Sequence, residues 1–134
     1  MGGDVHGGPR RAQRLRLAPT NRAATEARTF VRRALGSCPV SDGLIADVVL
    51  AASELVTNAV EHGDGGVVVE LLVDDARMRL RVADEATSPP VLRGMDPLSA
   101  RGRGLALIHA IASAWGHEVT DGGKWVWAEF DLRR

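Results

Sequence analysis

A long helical pattern between Ser41 and Gly63 is the feature that most constrains how this chain can fold. At about 100° per residue, its apolar side chains fall on one broad arc that must be buried against another layer of structure. Glu54, Asn58 and His62 are spaced four residues apart and form a polar row along the edge of that arc. Such a row can face a cleft while the helix remains anchored in the core.

A carboxylate and a carboxamide one helical turn apart have two chemical uses. Their oxygens can bind a hard divalent cation, which prefers oxygen ligands. The carboxylate of Glu54 can instead accept a proton or orient a water molecule. Residues of these types on an amphipathic helix are also typical of an ordinary solvated surface, so the helix alone leaves both interpretations open.

The rest of the chain predicts strands in consecutive hairpins. Five segments have the alternation or composition of strands: 13–18, 67–73, 77–83, 115–120 and 124–132. Helices are predicted at 23–35, at 41–63 and from 102 onward. This order predicts an α+β fold, a two-layer α/β sandwich with a mostly antiparallel sheet and helices on one face. It lacks the regular strand–helix alternation of dinucleotide-binding folds.

Local signals set the expected ends of the helices. Thr20 or Asn21 is expected to cap the first helix and Ser41 or Asp42 the second. Gly63 is expected to end the second helix in a left-handed conformation.

The 134 residues fit one domain with a hydrophobic core. We expect that domain at 13–134, after a flexible tail at 1–12. The single cysteine, Cys38, excludes an internal disulfide framework. We find neither a secretory signal at the N-terminus nor an apolar run approaching the roughly 20 residues of a membrane span, and therefore expect a cytoplasmic protein with no membrane segment.

Charge is unevenly distributed although the net charge is zero. Residues 10–33 hold eight arginines and one acid, whereas residues 41–75 hold eight acids and neither lysine nor arginine. This pattern argues against direct nucleic-acid binding, which needs a consistently basic surface. It is compatible with a charged protein partner or with ordinary solvated faces.

Two further segments add chemistry to the helix that carries Glu54 and Asn58. Gly102 and Gly104 open the third helix, where a backbone without side chains and free N–H groups can approach a phosphate. Asp84, at the end of a strand, can accept a hydrogen bond from an exocyclic amine such as that of adenine. The aperiodic segment between Asp84 and Gly102 has the length of a functional lid.

These segments resemble the motifs of the histidine-kinase-like ATPase family, also called the GHKL or Bergerat-fold superfamily. Residues 54–63 resemble its N box, residues 80–84 its G1 box and residues 102–108 its G2 box. The resemblance covers roughly residues 13–132. Within the superfamily, the chain is most similar to the small bacterial kinases that act on anti-sigma-factor pathways.

The resemblance implies a role for each matched residue. Glu54 would be the catalytic base, and Asn58 would coordinate a Mg²⁺ ion that bridges the ATP phosphates. Asp84 would bind the adenine amine, while Gly102 and Gly104 would cradle phosphate and hinge the lid. The other nucleotide-binding candidates flank these positions: His62 at the cleft edge, Arg101 and Arg103 beside the glycines, and Leu105 in the G2 box. Solvated lid residues are the alternative for the two arginines.

The implied function is an ATP-dependent serine/threonine-protein kinase that regulates transcription. It would transfer the γ-phosphoryl group to a Ser or Thr of a STAS-like anti-sigma-factor antagonist and could also bind a sigma factor. The alternatives are a non-catalytic ATP-binding partner-switching module and a stand-alone ATPase. The first strand, if it lies at a sheet edge, could recruit a partner or form a homodimer.

Two positions depart from the family pattern. Ala86 replaces the glycine that usually ends the G1 box. Trp125 stands where the family often has a threonine near the adenine pocket, and it would either alter the adenine contact or pack on the sheet.

Overall fold

The computed structural model describes residues 11–87 and 102–133. Its elements, in chain order, are β1 (Arg11–Leu17), α1 (Ala23–Leu35), α2 (Asp42–His62), β2 (Val67–Val73), β3 (Arg77–Asp84), α3 (Gly102–Ile111), β4 (Ala114–Thr120) and β5 (Gly123–Asp131). This order is the predicted one. Most of the expected lid, from 88 to 101, lies outside the described residues, as do residues 1–10 of the expected tail.

The five strands form one sheet in the order β1-β2-β3-β5-β4, and every neighbouring pair is antiparallel. β5 pairs with β3, so the β4–β5 hairpin adds β4 as an edge strand, while β1 forms the opposite edge. α2 contacts β2, β3 and β5 as well as the other two helices. These contacts confirm the predicted α+β architecture and place α2 at its centre.

The hydrophobic core lies between the sheet and α2. Leu80 of β3 is opposite both Leu71 of β2 and Ala128 of β5, and all three are buried. The buried residues of α2 are Leu44, Val48, Val49, Ala51, Ala52, Leu55, Val56 and Ala59. They lie on the apolar arc that the sequence predicts. Because this arc is packed in the core, the polar row at its edge is held in a fixed position.

The other face of the sheet carries charged residues that pair with one another. Glu70 lies between two arginines, with its Oε2 atom 3.0 Å from Arg14 Nε and its Oε1 atom 2.5 Å from Arg81 Nε. Burial raises the pKa of the Glu70 carboxyl, but hydrogen bonds and charges from Arg14 and Arg81 outweigh burial and hold that pKa below its ordinary value. Arg79 pairs in the same way with Glu129.

Tryptophans complete this outer face. The guanidinium of Arg81 lies 4.1 Å from the centre of the Trp125 ring, and that of Arg79 lies 4.3 Å from the Trp127 ring. The arginines of β3 therefore form an aligned outer face of the sheet. The Trp125 ring packs on the sheet against Arg81, and Trp125 also lines the cavity beside Asp84, so an effect on the adenine contact stays a prediction.

Two of the predicted helix ends are wrong. The residue before α1 is Arg22, which makes no side-chain capping bond, because the Thr20 hydroxyl accepts a bond from the Arg22 backbone N–H in a local turn. Gly63 follows α2 in an extended conformation, with φ −89° and ψ −160°, and not in a left-handed one. Ser41 does cap α2, since its hydroxyl accepts a bond from the Leu44 backbone N–H at 3.1 Å.

By length and average hydropathy alone, α2 is long and apolar enough to cross a membrane, with a mean hydropathy of 1.5 over its best window. This differs from the sequence expectation, because an average tolerates scattered charges such as Asp47 and Glu54. In the structure, its buried apolar residues belong to the hydrophobic core, whereas Leu50 is exposed.

Candidate active site

The polar row of α2 is present as predicted. Glu54, Asn58 and His62 lie on successive turns and are all partly buried, while the neighbouring Leu55 and Ala59 are buried in the core. Side chains one turn apart have Cβ atoms about 5–6 Å from each other. Within residues 11–87 and 102–133, the structure shows no hydrogen bond or ion pair from the side chain of Glu54 or Asn58.

Asp84 lies at the end of β3, on the same face of the sheet as α2. It is only 5% exposed, although a carboxylate is expensive to bury alone. Lys124 of β5 lies directly opposite, with its Nζ atom 3.0 Å from Oδ1 and 2.9 Å from Oδ2 of Asp84. The backbone N–H of Ala86 donates a third bond to Oδ1 at 2.8 Å. The carboxylate is therefore fixed in one orientation and neutralised.

Gly63 brings α2 and Asp84 together. A Cβ atom at this position would lie 2.4 Å from Asp84 Cγ and 2.5 Å from the Ala59 carbonyl oxygen. Any side chain here would push the carboxylate away from the end of the helix. The glycine of the predicted N box thus permits direct approach of the predicted G1 aspartate.

This approach sets the spacing of the candidate residues along α2. At a rise of 1.5 Å per residue, Asn58 is about 7.5 Å and Glu54 about 13.5 Å from Gly63 along the helix axis. The three candidate residues thus form a line along α2. Asp84 lies at one end of this line, Glu54 lies at the other end, and Asn58 lies between them. A nucleoside triphosphate has its base, bridging phosphates and terminal phosphate in this same order.

A cavity of about 550 Å³ opens at the end of the sheet where β3 finishes and β5 begins. Asp84 and Lys124 line it, together with Gly66 and Glu85, whose carboxylate accepts a bond from the Gly66 backbone N–H at 2.9 Å. Its volume is in the range of small-molecule sites. Neither Glu54 nor Asn58 is among its lining residues, so the cavity accounts for the Asp84 end of the line alone.

α3 begins at Gly102 and has Gly104 in its first turn, as predicted, and it packs against α2. The free backbone N–H groups of this turn suit an anion. Arg101 lies outside the described residues, and so do the side chains of Arg103 and Leu105.

The donor set suits a magnesium ion that is held mainly by a nucleotide. Within residues 11–87 and 102–133, no three His, Cys, Asp or Glu side chains are grouped as a metal cluster. Mg²⁺ at a nucleotide site needs only one or two protein oxygens, since phosphates and water supply the remaining ligands. The partly buried amide of Asn58 can supply such an oxygen.

Lys124 is a site residue that the sequence interpretation did not identify. The family pattern singles out Trp125, but the residues of β5 that face the core are the alternate positions Lys124, Val126, Ala128 and Phe130. The sequence signal for this residue is a lysine at a core-facing position of a strand. Lysine is almost never buried without a partner, so such a position indicates a buried ion pair.

Comparison with known protein families gives the class of protein. Residues 17–130 match the family of the histidine kinase-like ATPase domain. Since the match covers most of the chain, this protein belongs to that family. Membership confirms the resemblance drawn from the three motifs and makes this an ATP-binding domain.

A solved structure is similar over nearly the whole chain. It is the crystal structure of the RsbU and RsbW domains of Rv1364c from Mycobacterium tuberculosis, with 29% sequence identity and a TM-score of 0.71. The match covers 92% of this chain and 33% of that one, so the chain spans about one third of the length of its structural relative. The similarity confirms the fold.

Proposed function

We propose that this protein is a serine/threonine-protein kinase of the anti-sigma-factor type. It transfers the γ-phosphoryl group of ATP to a Ser or Thr hydroxyl of a STAS-like anti-sigma-factor antagonist. The observation that carries the proposal is the line formed by Glu54, Asn58 and Asp84, joined through Gly63. The similar structure that contains an RsbW domain supports the choice of branch.

In the proposed reaction, the substrate hydroxyl oxygen forms a bond to the γ-phosphorus while the bond to the β,γ-bridging oxygen breaks and ADP leaves. Glu54 accepts the hydroxyl proton, which its partly buried position on α2 allows. Asp84 holds the adenine amine and so fixes the nucleotide at the far end of the line. Phosphoryl transfer depends mainly on positioning and charge neutralisation, for which this small set of groups is adequate.

Asn58 would hold the Mg²⁺ ion through its amide oxygen, and the first turn of α3 would receive phosphate. When bound, the ion neutralises charge on the phosphates. Glu54, one turn further from Asp84, lies on the side where the terminal phosphate would be.

The proposed setting is the bacterial cytoplasm, with the antagonist as the main partner and a sigma factor as a second. β1 and β4 form the two edges of the sheet, and either edge offers backbone groups to a partner or to a second copy of the chain.

ATP titration by calorimetry, with and without Mg²⁺, tests the nucleotide site. Asn58→Ala should reduce the Mg²⁺-dependent affinity for ATP by about tenfold to a hundredfold, the range for a hydrogen bond or ligand to a charged group. Unchanged affinity would exclude the metal role of Asn58. Glu26→Gln is the matched control, because Glu26 is an exposed residue of α1 that is distant in sequence from the line.

Transfer is tested with radiolabelled ATP and candidate STAS-domain proteins, followed by mass spectrometry of the labelled residue. Glu54→Gln should bind ATP normally and lose transfer, since the amide cannot accept the proton. Transfer that survives this substitution would refute the base assignment. ATP binding with no transfer to any candidate would favour the partner-switching module, and hydrolysis without a protein acceptor would favour a stand-alone ATPase.

A further inference from the structure

Lys124 is the most unusual residue of the site. Its side chain is 5% exposed, yet it belongs to the row of β5 that faces the core between sheet and helices. The strand register places it opposite Asp84, and both residues line the cavity at the end of the sheet. The ion pair with Asp84 stabilises the buried ammonium group of Lys124. The same ammonium group is a hydrogen-bond donor beside the carboxylate that we propose binds the nucleotide base.

Counting donors and acceptors shows what the pair has left to offer. The ammonium has three N–H donors. Its hydrogen bond to Oδ1 of Asp84 uses one, and its ion-pair contact with Oδ2 uses at most one more. Oδ1 of Asp84 accepts hydrogen bonds from both Lys124 and Ala86, whereas Oδ2 lies 2.9 Å from Lys124 Nζ in an ion pair. One N–H of Lys124 and one lone pair of Oδ2 therefore remain side by side.

A neighbouring donor and acceptor are complementary to the edge of adenine. The exocyclic amine is a donor, and it is flanked by two ring nitrogens, N1 and N7, that can only accept. An acceptor carboxylate alone recognises the amine. A carboxylate with an adjacent ammonium recognises the amine and a ring nitrogen together.

We propose that Lys124 is a specificity-determining residue that donates a hydrogen bond to the ring nitrogen next to the adenine amine while Asp84 accepts from that amine. The inference rests on the proposed nucleotide site and adds to it a second hydrogen bond that recognises adenine. Lys124 also keeps Asp84 ionised and oriented, because a buried carboxylate without a counter-charge is costly.

The experiment compares nucleotides that differ in one ring atom. Wild-type protein and Lys124→Met are titrated with ATP, 1-deaza-ATP, 7-deaza-ATP and GTP in the presence of Mg²⁺. The deaza analogues each replace one ring nitrogen by a carbon and leave the amine in place. The readout is the ratio of affinities for ATP and analogue within one protein, so a general loss of affinity in the variant cancels.

Wild-type protein should bind one of the two deaza analogues roughly tenfold to a hundredfold more weakly than ATP, which is the range for a hydrogen bond to a charged donor. In Lys124→Met this difference should disappear. Lys124→Arg keeps a cationic donor and should retain part of it. Should the Met variant not fold by circular dichroism, the wild-type protein and Lys124→Arg carry the test, because equal affinity of the wild-type protein for ATP and both analogues would overturn the inference.

Three results would overturn the inference. Equal affinity of wild-type protein for ATP and both analogues would show that no ring nitrogen is read. A loss with the analogue that persists in Lys124→Met would assign the contact to another group. GTP bound as tightly as ATP would show that the pair does not select adenine. Absence of any nucleotide binding would instead refute the proposed function itself, so the two failures are distinguishable.

Discussion

Substitution of Gly63 by alanine tests the central contact of the site. The backbone at Gly63 is extended, with φ −89°, a conformation that alanine adopts without strain. The penalty therefore comes from space alone. The new Cβ atom would lie 2.4 Å from Asp84 Cγ, whereas ordinary contact begins at 3.4 Å. The carboxylate, the end of α2, or both must move by about 1 Å, as the difference of the two distances shows.

The bonds of Asp84 decide how costly that movement is. A displacement of about 1 Å would stretch contacts of 2.8–3.0 Å to Ala86 and Lys124 beyond hydrogen-bonding range. Overpacking costs about 1–3 kcal/mol, and a weakened bond to a charged group adds about 1 kcal/mol. We expect Gly63→Ala to lower the free energy of unfolding by about 2–4 kcal/mol, or the melting temperature by about 8–16 °C for a domain of this size.

Two matched glycine variants make the measurement specific. A Cβ atom at Gly43, in the first turn of α2, or at Gly122, beside β5, meets no atom within 4 Å. Alanine at either position should leave the melting temperature within about 2 °C or raise it slightly, because it restricts the unfolded chain. Urea unfolding and ATP titration of all three variants are the assays. A Gly63→Ala protein that is as stable as the Gly43 control and binds ATP normally would refute the proposed contact between α2 and Asp84.

Two further predictions concern other residues of the same sheet. Gly123→Ala should destabilise by about 2–3 kcal/mol, because φ is +158° and the new Cβ atom would lie 2.1 Å from the Asp84 carbonyl oxygen; a melting temperature equal to that of Gly122→Ala would contradict this. Glu70→Gln should lower stability at pH 7 by about 1–2 kcal/mol by leaving Arg14 and Arg81 without their carboxylate. Since the folded pKa of Glu70 is below the unfolded value of about 4.3, its contribution is complete above that value and is lost as pH falls through the folded pKa. Urea titrations from pH 7 to pH 3 should therefore show the two proteins converging, and a constant difference would contradict the ion pair.

The fold was accessible from the sequence because its signals are periodic and local. The apolar arc of α2 and the alternation of β3 and β5 each specify a buried face without any knowledge of the partner surface. Consecutive strands that pair as hairpins then leave few arrangements of the sheet. The helix ends were less accessible, because the Thr20 hydroxyl had two competing acceptor roles and the local turn prevailed.

The candidate site could be predicted only where a single element carries its residues. Glu54 and Asn58 share one helix, so their relative placement follows from helix geometry. Lys124 lies opposite Asp84 only because β5 pairs with β3, which are separated in the chain by α3 and β4. No local pattern specifies the register of such a pair. Parity within β5 could have shown that Lys124 faces inward, but not which carboxylate it meets.

Gly63 illustrates why the same residue can be identified correctly and explained wrongly. A glycine after a long helix suggests a left-handed end, because that is its commonest local use. Here the backbone is extended, and the absent side chain serves a contact made from another strand. The sequence around a glycine indicates which backbone conformation that segment prefers. A functional site depends in addition on how closely two segments approach each other in the fold. The glycine thus provides the space that Asp84 occupies, and a side chain at position 63 would displace the carboxylate.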